Sequence, residues 1–107
     1  MTDKIVILST CSTEEEAERL ARGLLDARLA ACINLVPRVR SFYRWKGQVE
    51  DAAECLLVIK SSRELFGALR SALAAAHSYE VPEIVALPIL DGAPEYLNWL
   101  QENLGNE

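Results

Sequence analysis

Arg38-Val39-Arg40-Ser41-Phe42-Tyr43-Arg44-Trp45-Lys46-Gly47-Gln48, running on through residue 60, is the stretch whose reading decides the fold. Its aromatic and β-branched residues, its Gly-containing turn and the apolar run at residues 55–59 predict a long β-hairpin. Strands average about 5–6 residues, so this hairpin is longer than one small core requires. Alternation along the first arm puts Val39, Ser41, Tyr43 and Trp45 on one face and Arg40, Phe42 and Arg44 on the other. A hairpin lying on a single core buries one face and wets the other. One that carries apolar or aromatic side chains on both faces calls for a second cover, and for so short a chain that cover is another copy of itself.

The rest of the composition sets bounds. A chain of 107 residues makes one domain over positions 1–107, with little core to spare. Apolar residues make up 50% and charged residues 25%, the balance of a soluble globular protein. The net charge of −5 and the lack of a basic block argue against nucleic acid and anionic membranes as partners. The apolar run at residues 5–8 is far too short for a signal peptide or a membrane span, so the expected location is the cytoplasm. Cys11, Cys32 and Cys55 are widely spaced and odd in number, against both a disulfide framework and a zinc knuckle. Cys32 and Cys55 read as small buried hydrophobes. Cys11 stands where a strand hands over to a helix, the one place where a thiol could be activated.

Outward from the hairpin, residues 4–9 (Lys-Ile-Val-Ile-Leu-Ser) predict a central strand covered on both faces. Two overlapping capping boxes follow, Ser12 with Glu15 or Thr13 with Glu16, and Glu14, Glu15 and Glu16 form a solvated helix start. Ala17, Leu20, Ala21, Leu24 and Leu25 recur at helical spacing to about Arg28. A second strand begins at Leu29 and is interrupted at Pro37, which cannot donate to a ladder and so marks a bulge or an edge. The Lys46-Gly47 turn fits a two-residue or a three-residue loop, which leaves the register and the facing of Arg40 or Arg44 on Glu50 or Glu54 open. Ser61 and Glu64 suggest another capping box, before a helix with Leu65, Leu69 and Leu73 on its buried stripe that ends near His77. Residues 78–82 form a loop, residues 83–90 an apolar strand with Pro88 at an edge or bulge, and Pro94 opens a short helix stopped by Gly105.

The order is β-α-β-β-α-β plus a terminal helix, an α+β chain of ferredoxin-like type. Both long helices would cover one face of an antiparallel sheet, and self-association would cover the other.

The residues also carry a resemblance. Ala31-Cys32-Ile33-Asn34, the run from Ser41 to Gly47, Glu54 with Lys60-Ser61, His77-Ser78-Tyr79-Glu80-Val81-Pro82-Glu83-Ile84 and Tyr96-Leu97-Asn98-Trp99-Leu100 together resemble the CutA divalent-cation tolerance family, across nearly the whole chain. The resemblance implies a ferredoxin-like fold assembled as a homotrimer, with long hairpins packed between subunits, and a link to copper or other divalent metals. The family usually reads His-Pro-Tyr where this chain has His77-Ser78-Tyr79, a loss that should loosen the loop. Where some members carry a cysteine at the end of the first strand, this chain has Ser9, with Cys11 two residues on.

The candidate site gathers His77, Tyr79 and Glu83 with Tyr43, Trp45, Glu54 and Lys60. His77 with Glu83 would suit Cu(II) or Zn(II), although a lone histidine past a helix end is also well placed as a cationic cap. Tyr43 and Trp45 serve interface packing or the aromatic floor of a small-ligand cleft between subunits, with Lys60 as its one cation and Glu54 and Glu83 as its carboxylates. No nucleophile–His–acid pattern or phosphate loop is present in the sequence. The expected function is therefore binding rather than catalysis: a homotrimer of divalent-cation tolerance type. The alternatives are a PII-like sensor of a small anion or metabolite and a scaffolding trimer.

Overall fold

The computed structural model describes residues 2–105. The elements are β1 (Lys4–Cys11), α1 (Glu14–Asp26), β2 (Cys32–Trp45), β3 (Gln48–Ser62), a 3-10 turn (Arg63–Leu65), α2 (Phe66–Ala76), β4 (Val85–Pro88) and α3 (Pro94–Glu102). One four-stranded antiparallel sheet has the order β2-β3-β1-β4. This mixed α+β arrangement keeps the expected element order, with β2 and β4 at the two edges.

The sheet is two-sided in composition. Ile5, Ile7, Cys11, Leu57 and Ile59 meet Ala17, Leu20 and Leu24 of α1 and Leu69 and Leu73 of α2 in a single buried core. Ser9 shares that face and is also fully buried. The alternate residues form the opposite face: the ladder sets Val6 beside Leu87, and Leu8 beside Val58 and Val85. Val36, Val85 and Leu87 on this face stay exposed. That is the bare apolar face expected from the sequence.

The hairpin resolves what alternation left open. Lys46 (φ 51°) and Gly47 (φ 81°) are both left-handed, and Trp45 pairs with Gln48. This is a two-residue turn of the kind that matches the twist of the strands. Val39 therefore faces Glu54 and Tyr43 faces Glu50, while Arg40 reaches diagonally to Asp51 in a two-pronged pair at 3.0 and 2.6 Å. The interruption at Pro37 is a bulge between Val36 and Val39, with Arg38 at φ 62°.

Four expectations need correction. β1 extends to Cys11, which is 0% exposed, and burial pushes its thiol pKa up to about 11. It is not an activated helix-terminal cysteine. β2 begins at Cys32 rather than Leu29, because the chain leaves α1 through Arg28 in the left-handed region (φ 58°). Ser61 caps no helix; its hydroxyl donates to the Leu29 carbonyl at 2.6 Å, tying β3 to the α1–β2 connection. β4 spans four residues, so Glu83 lies in the loop before it and not on the strand.

Glycine substitutions separate these constraints. Gly47→Ala should destabilise the protein by about 1 kcal/mol, since φ +81° is strained for any side chain. Gly23→Ala, within α1 and with open space around its added carbon, should stabilise by about 0.5–1 kcal/mol. Denaturant unfolding measures both.

Candidate functional site

The site is a cleft at the distal end of β1, where the hairpin runs on beyond the sheet. Tyr43 and Trp45 of β2 and Glu50 and Glu54 of β3 form one side. Tyr79, Glu80 and Glu83, from the loop between α2 and β4, form the other, and Thr10 stands at the base. The cleft, open to solvent, has a volume of about 690 Å³, within the usual size of small-ligand pockets. The register explains most of the hairpin side: Ser41, Tyr43, Trp45, Glu50 and Glu54 continue the bare face of the sheet, and Phe42, on the other face, borders the cleft as well.

The Tyr79 hydroxyl donates to the Glu54 carboxylate and so joins the two sides. Burial, and then that carboxylate, push the Tyr79 phenol well above its ordinary pKa. A phenol donating to a carboxylate is a charge-assisted bond of the stronger kind.

The loop is held from behind by a residue that the sequence reading placed in solvent. Thr13 is the N-cap of α1, and its hydroxyl accepts from the Glu16 N–H at 3.1 Å. The Glu16 carboxylate accepts from the Ser12 hydroxyl at 3.3 Å, beside the cap, and its other bonds lead away from its own helix start. It is 8% exposed and accepts from the Ser78 N–H at 2.8 Å and the Ser78 hydroxyl at 2.9 Å. Burial alone would raise its pKa; the Ser78 bonds outweigh that and hold it below the ordinary glutamate value. A proline at position 78 would offer neither donor. The serine thus fastens this loop rather than loosening it, contrary to expectation. Glutamate at the third position of a capping box was the available signal, but nothing local names a partner 62 residues away.

Five of the seven expected site residues line the cleft: Tyr43, Trp45, Glu54, Tyr79 and Glu83. Lys60 does not. It lies six residues along β3 from Glu54, about 20 Å at strand spacing, opposite Cys32 and Val6. Its ammonium donates to the Asn34 side-chain oxygen, not to a carboxylate.

The His77 side chain is 0% exposed. Its Nδ1 accepts from the Tyr79 N–H at 3.0 Å and its Nε2 meets the Thr10 carbonyl at 2.9 Å. Those partners fix a neutral ring protonated at Nε2, packed at a 47° tilt with its centre 4.8 Å from that of the Tyr79 ring. Neither nitrogen has a lone pair left for a metal, so a His77–Glu83 pair does not fit a divalent ion here. Among the described residues no three His, Cys, Asp or Glu side chains gather around one point. Ser9 and Cys11, on the core side of β1, are fully buried.

Residues 5–103 match the model of the family described as CutA1 divalent ion tolerance protein. The chain belongs to this family. It is 49% identical over 100 residues to the divalent-cation tolerance protein CutA of Thermus thermophilus, covering 94% of this chain and 97% of that one. It is 42% identical to the human protein CutA over 93 residues, covering 87% of this chain but only 52% of the human one. Among solved structures, the Thermus thermophilus family member superposes with a TM-score of 0.93 at 48% identity, covering 95% of this chain and 99% of that chain. The Oryza sativa CutA1 superposes with a TM-score of 0.94 at 41% identity, covering 97% of this chain and 95% of that chain.

The clamp behind the cleft should show in the pH dependence of stability. A carboxylate with a lowered folded pKa stabilises above its unfolded value and loses that contribution as pH falls through the folded one. Glu16→Gln should therefore cost about 1–3 kcal/mol at pH 7 and flatten the stability loss below about pH 4.3. Urea unfolding of both proteins from pH 7 to pH 3 measures it. Cys11 should react with a thiol reagent at neutral pH only once the protein is denatured, as timed labelling would show.

Proposed function

We propose that this chain acts as a cytoplasmic homotrimer in divalent-cation tolerance, binding a ligand in the hairpin–loop cleft and carrying out no reaction there. The observation that carries this reading is the cleft itself, a built space between aromatic and acidic side chains at the end of the sheet. Family membership supports the tolerance role, and the family is named for a tolerance rather than a reaction. Three free cysteines, Cys11, Cys32 and Cys55, suit a reducing compartment.

Support for assembly comes from the uncovered apolar surface. Val36, Val85 and Leu87 on the bare sheet face, Tyr43 and Trp45 on the hairpin, and Trp99 on α3 are all two-fifths exposed or more. Exposed apolar side chains in such number suit an association site. Copper(II) or another divalent metal would need donors from more than one chain, because one chain brings no three ligands together among its described residues. The alternative of a PII-like anion sensor needs Lys60 and His77 in the cleft, and the scaffold alternative needs the cleft filled. Neither gains support from the geometry.

Light scattering on the purified protein should give three times the 11.9 kDa chain mass; a monomer at micromolar concentration contradicts the assembly. Calorimetric titration of Cu(II) and Zn(II), with thiols blocked, should give the same result for wild type and His77→Ala. Saturable binding lost in the variant would restore His77 as a ligand.

A further inference from the structure

Two of the three cysteines meet across the sheet. Cys11 and Cys55 stand directly opposite each other, on the last rung of the β1–β3 ladder. Their side chains are buried in the core that α1 and α2 cover, and both thiols are free. The face they share is the opposite of the one left bare, so the pairing is internal to one chain.

The ladder also sets their spacing. At its far end the Arg63 N–H donates to the Asp3 carbonyl at 2.8 Å. Bonded and non-bonded rungs alternate in an antiparallel pair, and Cys11 is an even number of rungs from Asp3, so its rung with Cys55 is a bonded one. Facing Cα atoms on such a rung lie about 5.5 Å apart, inside the usual disulfide range of about 4.4–6.8 Å. The Cβ atoms, about 5.5 Å apart, must draw in to about 3.8 Å. A bond formed here is therefore strained and readily reduced. The Cys11 thiol gives up only a long contact to form it, 3.6 Å to the Thr13 carbonyl.

The rung stands where the sheet ends and the ribbon begins. Its neighbours Thr10 and Glu54 hold the loop of the cleft, through the His77 ring and the Tyr79 hydroxyl. We propose that Cys11 and Cys55 are a redox pair whose closure into a cross-strand disulfide latches the base of the ribbon. The oxidant is a small-molecule disulfide such as oxidised glutathione. One cysteine thiolate attacks it, which forms a mixed disulfide and releases one small thiol; the second cysteine then displaces the other. The two cysteine protons end on the two small thiols, the small S–S bond breaks and the protein S–S bond forms. Burial shields both sulfurs in the folded chain, so the exchange takes place while the chain folds, before α1 closes over the rung. In a reducing compartment the pair stays as thiols, and a shift to oxidising conditions closes it.

The test is refolding of the whole chain from urea in glutathione buffers of rising oxidised fraction, with acid trapping and mass mapping of the linked peptides. Loop closure in an unfolded chain favours the two shorter links, those of Cys32 with Cys11 or with Cys55. In the refolded protein the link between Cys11 and Cys55 should instead exceed either by about tenfold or more. It should persist in Cys32→Ala and vanish in Cys55→Ala. Amide hydrogens of residues 54–56 should exchange about tenfold or more slowly in the oxidised protein than in the reduced one, and dithiothreitol should reverse the change. A link between Cys11 and Cys55 no more frequent after refolding than in urea overturns the proposal. So does a link that leaves exchange at residues 54–56 unchanged, since the bond then latches nothing.

Discussion

β1 stops opposite Cys55, but β2 and β3 continue together for seven further residue pairs, from Val39↔Glu54 to Trp45↔Gln48. That overrun is the constraint on which the rest depends. A two-stranded ribbon in water is marginal at best, and this one leaves Phe42 at 64% and Val49 at 68% exposure. The turn closes it and the Arg40–Asp51 pair spans it, but both of those are exposed and contribute little. A ribbon of this length holds its shape when something packs on it. The bare sheet face below it poses the same demand, and the proposed trimer answers both at once.

The overrun also makes the cleft. The chain leaving α2 must pass the end of β1 to reach the β4 edge, and so it runs beside the ribbon with a gap between them. The gap stays open because the loop is fastened on its far side. Ser78 gives both its donors to Glu16, and the ring of His77 bridges the Tyr79 N–H and the Thr10 carbonyl. Tyr79 then reaches across to Glu54. A helix N-terminus on one side of the sheet thereby sets the shape of a cleft on the other. His77 works as a brace in this chain, with no nitrogen turned to the cleft.

Local chemistry made much of this legible from residues alone. A cap at Ser12 or Thr13, a bulge or edge at Pro37, Pro94 at a helix start and the aromatic hairpin all follow from backbone rules that act over a few positions, and the structure decides for Thr13 and for the bulge. The site was half legible for the same reason. Tyr43, Trp45 and Glu54 share the cleft because strand alternation puts them on one face. Lys60 also shares that face, but alternation gives the face and not the distance along it, so its absence from the cleft was hidden. Glu16 was missed because its Ser78 partners come from a loop far along the chain, and solvation is the ordinary fate of a first-turn glutamate. The occupancy of the His77 nitrogens depends on two backbone groups that no side-chain pattern reports.

The central claim is that the distal hairpin is stable only when other copies pack on it. Hydrogen exchange at residues 39–53 tests it most directly, comparing the wild type with a variant held apart by Val36→Glu and Leu87→Glu on the bare sheet face. The account predicts slow exchange in the assembled protein, and exchange in the separated chain as fast as that of an unprotected ribbon, while the β1–β3 core stays protected in both. Equal protection of the hairpin in the two proteins, or rapid exchange in the assembled one, would contradict it.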